Sequence, residues 1–128
     1  MSPATLTRIG WGLSALFALF MLGASALPKL AGMAVAQDTM TALGWPAAPL
    51  LLIGGLELGL TLLFLIPQTA LLGAVLMMGL LGGAMVTQVR AGSPLFSHTL
   101  FAAYLGAVMW GALWCRMPAL RTLFPLGR

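Results

Sequence analysis

Only eight side chains in this 128-residue chain carry a formal charge, six Lys or Arg and two Asp or Glu. The one that asks most of its surroundings is Glu57. It stands near the middle of an apolar run, about ten residues, or ~15 Å at helical rise, from either end. A charge at the centre of a membrane-crossing helix costs roughly 2.5 to 3.5 kcal/mol on insertion scales. Glu57 must therefore face away from lipid, pair with a cation or stay protonated. Gly54 and Thr61 share its helical face, giving it space and one hydroxyl partner. Two readings stay open: a polar anchor for a buried ligand or a proton, and an internal hydrogen bond that packs helices together.

Four more polar residues can act with it. Lys29 and Arg90 are the cations nearest one end of the apolar runs, and long side chains reach several ångströms along an apolar surface. A pair with Glu57 requires the segment before its helix to dip into the membrane, or that helix to begin deeper. Otherwise Lys29 snorkels to the interface. Arg90 shares a face with Gly79, Gly83 and Thr87, which turns it toward a neighbouring helix. Gln88 stands just inside the same end. His98 is the chain's single histidine and follows soon after, so a histidine-based haem or metal site lacks its second ligand. No CxxC, HExxH, GxSxG or Gly-rich phosphate loop occurs, so stand-alone nucleotide or hydrolytic chemistry is not expected.

The elements that position these residues follow from composition. Hydrophobic residues make up 61% of the chain, charged residues 6%, and mean hydropathy is +1.06. So few charges cannot cover a water-facing surface, and the exterior must meet lipid. At about 20 residues per crossing, the chain reads as one all-α integral membrane domain, a bundle of four transmembrane helices. The expected spans are 9–27, 47–66, 69–89 and 94–115. Arg8, the apolar run and Ala24-Ser25-Ala26 imitate a signal peptide, but the run is long for one and reads as the first span.

Pro28-Lys29 should end span one, since proline disfavours helix at the residue before it. Between spans one and two, Leu30, Met33, Met40 and Leu43 fit one face of a short interfacial helix. Pro67-Gln68 makes spans two and three a hairpin. Ser93 and Pro94 read as N-cap and first residue of span four. Gly55 with Gly59, and Gly79 with Gly83, stand at GxxxG spacing and are candidate packing faces, within the chain or between chains. Met77, Met78, Met85 and Met109 are either cavity lining or adaptable core filler.

The net charge of +4 does not mark a nucleic-acid binder, because its cations are scattered at helix ends. Arg8, Arg116, Arg121 and Arg128 fall on one side, Lys29 and Arg90 on the other. By the positive-inside rule both termini are cytoplasmic.

Read in order, Pro-Lys-Leu at 28–30, Leu-Gly-Trp-Pro at 43–46, Gly-Gly-Leu-Glu-Leu at 54–58 and Ile-Pro at 66–67 resemble the DoxX-like membrane proteins. So do Gly-Ala at 73–74, Leu-Gly-Gly-Ala at 81–84, Val-Arg at 89–90, Pro-Leu-Phe-Ser at 94–97 and Leu-Arg at 120–121. The resemblance covers nearly the whole chain. It implies a four-helix bundle in the bacterial inner membrane and brings Lys29, Glu57 and Arg90 forward as family-like polar positions. Some relatives are associated with thiosulfate:quinone oxidoreductase or thiol-redox assemblies. Where relatives often show Thr-His-Val-Arg, this chain has Thr87-Gln88-Val89-Arg90, and glutamine is a poor haem ligand.

The resulting expectation is a protein that binds a quinone, lipid or other amphipathic small molecule, or serves a redox system as membrane accessory. The ligand-binding candidates are Glu57, Lys29, Arg90, Gln88, Thr61 and His98. The alternative is a structural or assembly subunit, a homo-oligomer or an anchor for a partner oxidoreductase, with no ligand of its own.

Overall fold

A computed structural model describes residues 1–46 and 49–127. Among them every regular element is helical. Helix α1 is continuous over Pro3–Leu30, α2 spans Ala34–Ala42, α3 Leu50–Leu65, α4 Ala70–Ala91, α5 Leu95–Arg116, and a single turn, α6, covers Pro118–Arg121.

Helix α1 exceeds its expected span at both ends. Ser2 caps it by accepting the Thr5 N–H at 3.2 Å, with Pro3 opening the first turn. At the other end Pro28 does not stop it. Residues Phe20–Ala26 are wound as a π-helix, and the Leu27 N–H reaches back five residues to the Leu22 carbonyl. The wider π turn makes room for a ring that would strike the preceding carbonyl in an α-helix. The helix then runs on through Leu27–Leu30 and carries Lys29 with it.

Three helices, α1, α4 and α5, are long and apolar enough to cross a membrane. The fourth expected span is shorter than expected: α3 has 16 residues, or ~24 Å, against the roughly 30 Å of a hydrocarbon core. The expected start of that span, Ala47, lies outside the described residues, as does Arg128. Helix α3 nonetheless packs between the last turn of α1 and the last residue of α5. Gly54, near its start, abuts Lys29 and Leu30, while the Phe64 carbonyl, near its end, accepts from Arg116.

The α3–α4 hairpin turns through Ile66–Thr69, where the Thr69 N–H donates to the Ile66 carbonyl. A methyl group at Gly73 would lie 2.5 Å from the Phe64 backbone nitrogen, so only glycine lets these helices close so tightly. Helix α5 starts differently from expectation. Pro94 itself is the N-cap, no side chain caps the helix, and Leu95–Thr99 is another π turn. The Ser93 carbonyl, not its hydroxyl, takes part by accepting from Thr99.

The core lies between α1, α3, α4 and α5. Phe17 meets Phe64 edge to face at 5.4 Å between centroids, and Met77, Met109 and Leu113 are completely buried beside them. A separate small cluster holds α2 to the start of α3, with Ala36, Met40 and Leu50 buried together.

Candidate functional site

Glu57 is the eighth residue of the 16 in α3. Its carboxylate meets Lys29 of α1, with Nζ 3.0 Å from Oε1 and side-chain exposures of 18% for Lys29 and 8% for Glu57. The ammonium also donates to the Ser25 carbonyl at 3.1 Å and to Ser25 Oγ at 2.9 Å, one turn earlier on α1. The ion pair thus joins the last turn of α1 to α3, with the ammonium folded back one turn along its own helix rather than reaching out past its end. Gly54 makes this approach feasible. A Cβ added there would stand 2.9 Å from Lys29 Cβ and 3.2 Å from Leu30 Cγ, so the missing side chain is replaced by the lysine stem.

The pair stands at the wall of a cavity of about 570 Å³, within the range of small-molecule sites. Helix α1 contributes Phe20, Met21, Ser25 and Lys29, α3 contributes Glu57, and α4 and α5 line the far side. Helix α2 lies along it, with Ala36, Thr39 and Met40 on the wall. Two buried polar atoms have no hydrogen-bond partner among the described residues, Glu57 Oε2 and Gln88 Oε1, and both residues line this one cavity. Buried oxygens are normally satisfied, so the presence of both residues on one wall singles out this space.

The remaining candidates fall in different places. His98 lines the cavity from an exposed position and shares a 2.7 Å hydrogen bond between Nδ1 and Ser97 Oγ. Among the described residues no group of three or more His, Cys, Asp or Glu converges as metal ligands would. Arg90 does not line the cavity or reach Glu57. Its Nη2 donates to the Leu43 carbonyl at 3.2 Å, and its guanidinium covers Gly44, whose φ is +81°. It ties α4 to the loop after α2, and so helps seat that helix beside the cavity.

Thr61 does not partner the carboxylate either. It is fully buried, and its hydroxyl donates to the backbone carbonyl of Glu57 at 2.6 Å, leaving the carboxylate alone. This back-bond to the preceding turn is the usual resort of threonine in an apolar helix. Gly55, Gly59, Gly79 and Gly83 have no atom of another element among the described residues where a Cβ would be. Gly79 and Gly83 instead line the cavity and leave its wall open on an exposed face of α4. Met77 and Met109 are core, while the methionines on the cavity wall are Met21 and Met40.

A second polar constellation, at the other end of the bundle, was not foreseen. Arg116, the last residue of α5, donates through Nη1 to Ser14 Oγ at 3.0 Å and through both Nη atoms to the Phe64 carbonyl at 3.2 Å. Its guanidinium carbon lies 3.9 Å from the Trp11 ring centroid and 5.0 Å from that of Phe64. Planar, delocalised and weakly hydrated, a guanidinium suits such a sandwich. Gly10 admits it, since a Cβ there would stand 2.7 Å from Arg116 Cγ. Ser14, a small polar residue inside a long apolar run, was the available signal. In the sequence Arg116 reads only as one of the cations at helix ends.

Fold and site together define a helical membrane protein with a buried ion pair on the wall of a mainly apolar cavity. The chain matches the family model described as the DoxX-like family over residues 12–112, and it belongs to that family. No curated protein and no solved structure matches it.

Proposed function

We propose that this DoxX-like protein is a four-span protein of the bacterial inner membrane, both termini cytoplasmic, that holds the polar head of a quinone, lipid or similar amphipathic molecule beside Glu57. In this reading it serves a redox system as a membrane accessory. One observation carries the proposal: Glu57 and Gln88, each with a buried oxygen that has no hydrogen-bond partner among the described residues, both line one cavity of about 570 Å³. The rest of that wall is largely apolar, with Phe20, Leu80, Leu81, Phe101 and Leu105 suited to a ring or chain. What supports the four-span reading is the course of α3, whose Gly54 abuts Lys29 of α1 and whose Phe64 carbonyl accepts from Arg116 of α5.

Native mass spectrometry of protein extracted in mild detergent tests the binding. Wild type should retain a small-molecule adduct, and Glu57→Gln should lose most of it. Equal occupancy in the two, or none in either, contradicts the proposal.

A second reading, an assembly subunit, draws on Gly55 and Gly59, where the surface of α3 is open to another chain. It predicts a stable complex with a second copy or a partner oxidoreductase and no adduct. A monomeric, partner-free protein in lipid nanodiscs would remove it.

A further inference from the structure

Resting on the ligand-binding reading above, we infer that the head group held at Glu57 is neutral and donates a hydrogen bond: an alcohol, phenol or hydroquinone, not a carbonyl, carboxylate or phosphate. The Lys29 ammonium has three N–H donors, and the structure places three acceptors on it: Glu57 Oε1 at 3.0 Å, the Ser25 carbonyl at 3.1 Å and Ser25 Oγ at 2.9 Å. The cation that would otherwise attract a carbonyl or an anion is therefore saturated from within the protein.

What remains free on the ion pair itself accepts. Glu57 Oε2 is buried without a partner, and an ionised carboxylate has no hydrogen to give. Gln88 Oε1 is also unpartnered. Turning the Gln88 amide would exchange acceptor for donor, but the Glu57 carboxylate has no such freedom, so the inference stands on Glu57. Among the described residues bonded to the pair, the donor left is the single hydroxyl hydrogen of Ser25; elsewhere on the cavity wall, Gln88 and Trp45 also carry N–H groups. A carbonyl that took any of these would still leave Glu57 Oε2 unmet, with another acceptor brought nearby.

Charge points the same way. One ammonium and one carboxylate cancel, so a charged head group would bring an uncompensated charge into a space walled mainly by apolar side chains. A hydroxyl satisfies Oε2 without changing that balance. A site built to accept from a hydroxyl discriminates strongly against an analogue that lacks it, because its own acceptor is then stranded.

Three probes with one tail separate the alternatives: 4-decylphenol, its methyl ether 4-decylanisole, and decylbenzene. Binding to the full chain in nanodiscs is measured by isothermal titration, with empty nanodiscs as the partition reference. The phenol should bind about tenfold or more tightly than either the ether or the hydrocarbon. Decylbenzene is smaller than the phenol, so its weaker binding cannot be steric. In the double variant Lys29→Met/Glu57→Met, which keeps charge balance, the preference should fall to parity. Comparable binding of all three by the wild type would overturn the donor inference and leave the ligand-binding reading standing. Binding of none would overturn both. A phenol preference that persists in the double variant would overturn the assignment to Glu57.

Discussion

Replacing Lys29 by methionine keeps most of the apolar stem lying over Gly54 and removes the charge that faces Glu57. Three hydrogen bonds of the ammonium go with it. In water-soluble proteins, breaking one side of a buried ion pair costs about 3–5 kcal/mol, because the other charge is stranded. Here the reference state is different. Helices separated in a micelle still keep Glu57 among apolar chains, and polar contacts between membrane helices measure smaller than expected for that reason. The cost should therefore be about 2–3 kcal/mol, a roughly 30- to 150-fold shift in the folding equilibrium. Glu57→Met alone should cost a similar amount. The double variant Lys29→Met/Glu57→Met should recover most of the loss, since replacing a whole buried pair with apolar groups is often near neutral. Reversible unfolding in mixed micelles, followed by tryptophan fluorescence and circular dichroism, gives all three values. Additive losses, with the double variant worst, would refute the pairing.

The second polar constellation makes its own prediction. Arg116→Lys should lower stability by about 1–2 kcal/mol in the same assay, because a lysine cannot keep both the paired donation to the Phe64 carbonyl and the stacking on Trp11. The glycines sort by their surroundings. Gly10→Ala should destabilise by about 1–3 kcal/mol, since its methyl would lie 2.8 Å from the Ala112 carbonyl oxygen, whereas Gly55→Ala and Gly59→Ala meet open space and should be neutral or gain up to about 1 kcal/mol. A clear loss at Gly55 or Gly59, with a change in oligomeric state, would instead place a second chain on that face. Gly83→Leu should leave the fold intact and abolish the native mass-spectrometric adduct by filling the cavity wall; undiminished adduct would show the ligand binds elsewhere.

Apolar runs and their boundaries made the helices legible, because lipid exposure leaves few alternatives for a chain with 6% charged residues. The α3–α4 hairpin followed from Pro67-Gln68 for the same reason. The Lys29–Glu57 pair was only half legible. Both residues stood out, yet counting residues left ~15 Å between the helix end and Glu57. Three local features close that distance. The π turn carries α1 past Pro28. Helix α3 begins at Leu50, which brings Glu57 to ~10 Å from the helix start. Gly54 admits the lysine stem.

None of these has a strong sequence signature, since a proline reads as a stop unless the turn before it widens. Ser25, which completes the ammonium's shell, reads in the sequence as part of a cleavage motif. Thr61 and Arg90 failed as partners because each had a nearer carbonyl to bond, one on its own helix and one in the loop after α2. Local backbone acceptors are invisible to a reading based on spacing.

The central claim is that the cavity beside Glu57 holds a ligand's head group. The most direct test is an experimental density map of the protein purified in native lipid, resolved well enough to show side chains around α3. Elongated density ending within hydrogen-bond distance of Glu57 Oε2, with its tail along Phe20 and Leu105, is the result predicted here. A closed site, with side chains from α4 and α5 packed onto Glu57 and no room for a head group, would contradict it.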